Sequence, residues 1–65
     1  MRLTERERLT LHAYGQMGSL YETAVELGIH RQTLKNRLTR IYAKLGVPGG
    51  VAAVYRLLTE EERPT

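Results

Sequence analysis

Four side chains on one face of a helix could do the chemistry of this 65-residue chain: Gln32, Lys35, Asn36 and Thr39. An amide can pair in bidentate fashion with an adenine edge, and a hydroxyl or ammonium can meet other base edges in the major groove of a duplex. Cations border them. Arg31, Arg37, Arg40 and Lys44 are long enough to reach backbone phosphates, and Thr33 can donate to one. These five residues share their stretch with no Asp or Glu, and Glu does not reappear until Glu60. A merely solvated helix face usually mixes signs, so an unopposed basic face points to a polyanion.

The face needs a helix with a buried opposite side, and the spacing supplies one. Leu34, Leu38, Ile41 and Leu45 recur at i, i+4, i+7 and i+11, one apolar stripe over residues 31–45 that Gly46 ends. Gln32, Asn36, Thr39 and Ala43 fall opposite that stripe, with Lys35 and Arg40 on its two sides. Upstream, Ser19 and Glu22 have the spacing of a capping box, so a shorter helix is expected over residues 20–27, stopped by Gly28. Two helices joined through Leu27-Gly28-Ile29, the second long and basic, are the parts of a helix-turn-helix.

The remaining segments read as support. Thr4 and Glu7 form another expected capping box, which starts a helix over residues 5–14 with Leu11 and Tyr14 facing the core, and Gly15-Gln16-Met17-Gly18 reads as its connector. Glu5 and Glu7 diverge on that helix and lack a third partner, so they are caps rather than an acid/base pair. After Val47-Pro48-Gly49-Gly50 a last helix is expected over residues 51–59, ended by Glu60, Glu61, Glu62 and Pro64 with a frayed tail. Val51, Val54, Tyr55 and Leu58 give it one apolar edge, and Ala53 with Leu57 a second. A domain this small cannot easily bury both, which makes Val51, Val54, Tyr55, Leu57 and Leu58 the expected seam of a homodimer. The fold class is therefore all-α, one domain of four helices.

Composition closes off other functions. His12 and His30 lie on different helices, and the chain has neither Cys nor Asp to complete a ligand set, so no metal and no cofactor are expected. Ser19 is the sole serine and is committed to capping, so no catalytic residue is expected and the chain is not read as an enzyme. Gly49-Gly50 has neither a strand before it nor a Lys after it, and is not a phosphate loop. No apolar run could span a membrane, and MRLTERERL is too charged for a signal peptide, so a cytoplasmic location is expected. The net charge of +3 is uneven. Residues 28–58 hold four Arg and two Lys and no acid, between mildly acidic ends. Without Trp or Phe, that block suits a nucleic acid better than a membrane surface.

From Leu3 to about Val54 the chain resembles the LuxR/NarL/GerE-type DNA-binding domain. The resemblance rests on Leu3-Thr4-x-Arg6-Glu7, Glu22-x-Ala24, Leu27-Gly28-Ile29, Thr33-Leu34-Lys35-Asn36, Ile41-Tyr42-x-Lys44-Leu45-Gly46-Val47 and Ala53-Val54, in order and without a gap. It implies a four-helix domain with the third helix in the major groove and the fourth at a dimer contact. The chain departs from that pattern at His30, Arg31, Arg37 and Gly50, and Thr10 and Thr23 stand where aliphatic residues are usual. The stretch HRQTLKNRLTRI also resembles the helix-turn-helix of PucR-type and Fis-like proteins. Because the resemblance begins at Leu3, a stand-alone domain is expected. Sequence-specific binding of double-stranded DNA as a homodimeric transcription regulator is the leading expectation. The competing one is an adaptor that binds RNA polymerase or another regulator instead.

Overall fold

The computed structural model describes residues 3–62, in which four helices follow one another: α1 (Glu5–Met17), α2 (Leu20–Leu27), α3 (Arg31–Leu45) and α4 (Gly50–Glu62). The described residues contain no strand, and the all-α expectation holds. Pro64, the expected stop of the last helix, lies outside the described residues.

Each start has a local cause. At α1 the full capping box forms: the Glu7 N–H donates to Thr4 Oγ1 at 3.1 Å, and the Thr4 N–H donates to Glu7 Oε1 at 2.8 Å. At α2 only half of the expected box is present. The Glu22 N–H donates to Ser19 Oγ at 3.3 Å, with no return bond to the Glu22 carboxylate. The turn into α3 is made by Gly28, whose φ of 69° lies in the left-handed region open to a residue without Cβ. The N–H of Ile29 then closes onto the Ala24 carbonyl at 3.0 Å.

Helix α1 runs three residues beyond its expected end, through the supposed connector. Gly15 does not break it because α4 crosses there: a Cβ at Gly15 would stand 3.0 Å from Val54 Cγ1. That glycine marks a close approach of two helices, and Gly18, at φ 74°, makes the actual stop. A second close approach explains Gly50. A Cβ there would lie 2.7 Å from Tyr14 Cε2 and 3.0 Å from Tyr42 Oη, so the two rings occupy the space that any side chain at this position would need. The α4 start falls on Gly50, one residue early, and the helix runs on to Glu62.

The core lies between all four helices and consists of Leu11, Ala24, Leu34, Leu38, Ile41, Ala53 and Leu57. Tyr14, Leu27, Ile29, Leu45 and Val54 pack around it, half-buried. Thr10 and Thr23 are buried as well, and each satisfies its hydroxyl within its own helix: Thr10 Oγ1 donates to the Arg6 carbonyl at 2.8 Å and Thr23 Oγ1 to the Ser19 carbonyl at 2.7 Å. A threonine can replace an aliphatic residue there without an unpaired polar group. Tyr42 is half-buried beside Tyr14, and burial first, then that neighbour, raises its pKa.

The last helix corrects one expectation. Leu57, placed at the dimer seam from sequence, is 5% exposed, and Ala53 beside it is fully buried. The second edge of α4 therefore faces the protein's own core, and Val54 is half-buried against Gly15. What remains outside is Val51 at 89%, Tyr55 at 71% and Leu58 at 46% exposure.

Candidate nucleic-acid interface

The inward stripe of α3 is anchored, with Leu34, Leu38 and Ile41 all buried, so the opposite face is presented by a fixed helix. Gln32, Lys35, Asn36, Thr39 and Arg40 are all exposed on it. Three of them are already held in place. Gln32 Nε2 donates to Asn36 Oδ1 at 3.1 Å, and Thr39 Oγ1 donates to the Lys35 carbonyl at 2.9 Å. The Gln32 bond uses one lone pair of the Asn36 oxygen and leaves the exposed Asn36 amide nitrogen free to donate, so the two amides form one linked donor and acceptor surface.

The two flanks of this face are built differently. On the side toward α2, the Arg31 guanidinium sits over the Tyr21 ring, 5.8 Å from its centroid, within cation–π range. Leu20, His30, Arg31, Gln32, Thr33 and Lys35 border an open cleft of about 610 Å³ there. His30 occupies the N-cap of α3 in an extended conformation, and its ring makes no capping bond. The first-turn N–H groups and the positive end of the helix dipole thus face this cleft without a side-chain acceptor.

On the side toward α1, Arg37 and Arg40 meet Arg6, Thr4 and Thr10 around a smaller cleft of about 190 Å³. Arg37 is half-buried there, whereas Arg40 is exposed. Lys44 differs from the other cations of α3. Its Nζ lies 2.8 Å from Glu7 Oε1, an ion pair that ties the end of α3 to the start of α1. That pair lowers the Glu7 pKa, through the Lys44 hydrogen bond first and the Thr4 N–H second. The sequence reading of cations with no acidic neighbour thus holds along the chain and fails in space for Lys44.

Two residues of this surface were missed from sequence. Tyr21 carries no signal in the sequence, because its partner Arg31 lies ten positions on across a turn, where no periodicity connects them. Arg6 was read as part of a capping segment, and only the packing of α1 on α3 brings it to Arg37. The described residues hold no cluster of His, Cys, Asp or Glu that could bind a metal ion.

This arrangement agrees with the comparison against known families: the model of the PucR C-terminal helix-turn-helix domain matches residues 8–57. The chain belongs to that family. Its function class is accordingly that of a DNA-binding domain in transcription regulation. Among the resemblances carried by the sequence, the match supports the PucR type and a helix-turn-helix domain generally, not the LuxR/NarL/GerE type specifically. Nothing among curated proteins or solved structures matches the chain. The matched segment begins at Arg8, so Thr4, Arg6 and Glu7 of the α1 flank lie ahead of it. No helix among the described residues is long and apolar enough to cross a membrane.

Proposed function

We propose that this PucR-family domain is a sequence-specific transcription regulator that inserts α3 into the major groove and binds a two-half-site operator as a homodimer. The observation that carries the reading is the outward face of α3: exposed amide and hydroxyl groups, free of acids, with guanidinium groups on both sides. A recognition helix in a major groove has a phosphate backbone on each side, and cations on both flanks match that geometry. Gln32, Lys35, Asn36 and Thr39 read bases in this account. Arg31, Thr33, Arg37 and Arg40 hold phosphates, and Lys44 serves the α1–α3 contact instead. The landmarks shared with LuxR/NarL/GerE domains support the same docking.

The homodimer rests on the other exposed feature. Val51, Tyr55 and Leu58 recur at i, i+4 and i+7 on α4 and leave a contiguous apolar strip in water. A second copy of the chain would cover it isologously and set two recognition helices about 10 base pairs apart. An adaptor for RNA polymerase would use the same strip, but has no need of the α3 face.

Selection of binding sites from random duplex DNA tests the reading. Enrichment of a two-fold symmetric site, bound in a strongly salt-dependent way, is the expected result. Failure to enrich any duplex would refute it.

A further inference from the structure

We propose that Arg6, Arg37 and Arg40 form a clamp for one DNA backbone phosphate, with Arg6 supplying from α1 a contact that the helix-turn-helix itself lacks. The inference rests on the DNA-binding reading and adds a named anchor to it.

Three observations support the clamp. Arg6, Arg37 and Arg40 all line one small cleft beside the outward face of α3. None of them has a hydrogen-bond or ion-pair partner among the described residues. Glu7 also borders the cleft, but its Oε1 accepts from both Lys44 Nζ and the Thr4 N–H at 2.8 Å, so Lys44 already balances its charge.

What remains is three arginines around one cleft that no carboxylate of the described residues pairs with. Arg6 adds to their repulsion, because it stands in the first turn of α1, where the helix dipole is already positive and disfavours a cation. An external anion relieves both repulsions. A guanidinium presents paired N–H donors that fit phosphate oxygens, and three forks around one opening suit a tetrahedral anion better than a planar base. The cleft adjoins Arg40, on the rim of the α3 face, so a phosphate of the bordering strand is the anion within reach once α3 is in the groove.

The experiment compares the wild-type chain with R6Q and R6K on the selected duplex and on a scrambled one, across a salt series. For R6Q the expected result is equal weakening on both duplexes, with the salt slope shallower by about 0.9 for each Arg6 in the complex. R6K, which keeps the charge, should keep the slope. Arg6 is exposed, so R6Q should melt with the wild type, and a variant that unfolds would make Arg6 structural and overturn the clamp. If the wild type prefers its selected site but R6Q has an unchanged slope, the clamp is overturned while the DNA-binding reading stands. If the wild type binds no duplex at all, both fall. Melting in inorganic phosphate against chloride at matched ionic strength separates a free-anion site from a DNA contact. Stabilisation that depends on Arg6, together with an unchanged slope on DNA, would assign the cleft to free phosphate and refute the proposal.

Discussion

Helices α3 and α4 pose the same problem to a reader of the sequence, and they resolve it differently. Each offers more than one set of residues that could face inward. On α3 the choice is settled locally: the stripe through Leu34, Leu38 and Ile41 is apolar, and the face opposite is amide, hydroxyl and cation. Only one orientation buries the first and wets the second. On α4 both candidate edges are apolar. Ala53 with Leu57 and Val51 with Tyr55 and Leu58 lie on different sides, and hydropathy alone does not rank them. Packing decides. The smaller Ala53 lets α4 approach the core closely, as Gly15 and Gly50 do on the same contact, and the bulkier edge is left in water.

The difference between the two edges of α4 predicts opposite outcomes for the same change. Leu57→Glu places an unpaired carboxylate in a fully packed core and should cost about 3–5 kcal/mol. A 65-residue domain has only about 3–10 kcal/mol in total, so this variant should lose a third or more of its stability and melt far below the wild type by circular dichroism. A Leu57→Glu protein that melts with the wild type would show that the edges have been assigned the wrong way round.

A smaller effect tests how α3 is held from its far end. Glu7→Gln removes the charge that binds Lys44 and, with solvent screening of this accessible pair, should lower stability by about 0.5–1 kcal/mol near neutral pH. The sign with pH follows from the lowered pKa of Glu7. The ionised form is the one the fold favours, so its contribution is complete above the ordinary glutamate value of about 4.3 and fades as pH falls through the lower folded-state value. Thermal melts of wild type and variant should differ by a constant amount above about pH 5 and converge on acidification. Curves that stay parallel down to acid would assign the loss to capping geometry rather than to charge.

The least effect on the fold comes from the outer edge of α4. Tyr55→Glu should leave stability within about 0.5 kcal/mol while reducing assembly on DNA to single half-site occupancy. Sedimentation of the variant with a two-half-site duplex reads this directly. An unchanged assembly would remove the strip from the dimer account.

How much could be read without the structure follows from the range of each signal. The helix starts at Thr4 and Ser19, the turn at Gly28 and the inward stripe of α3 depend on residues within four positions of one another, and all were legible. Gly15 was misread because its reason, Val54, lies 39 positions away, and the local rule that glycine breaks helices was the only one in view. The Glu7–Lys44 pair spans 37 positions and corrected the view of Lys44 in the same way. The cleft between α1 and α3 was invisible for this cause too: Arg6 acquires its setting from Arg37, on a helix that packs against it.

The central claim is that α3 reads bases with the middle of its outward face and grips phosphates from its edges. It is tested most directly by measuring Asn36→Ala and Arg40→Ala on preferred and scrambled duplexes across a salt series. Loss of the Asn36 amide should cost about 1–3 kcal/mol on the preferred site and almost nothing on the scrambled one. Loss of Arg40 should weaken both alike and make the salt slope shallower by about one for each protomer bound. The opposite pattern, with Asn36→Ala weakening both duplexes equally and Arg40→Ala erasing the preference, would contradict the account and rotate the docking of α3 about its axis.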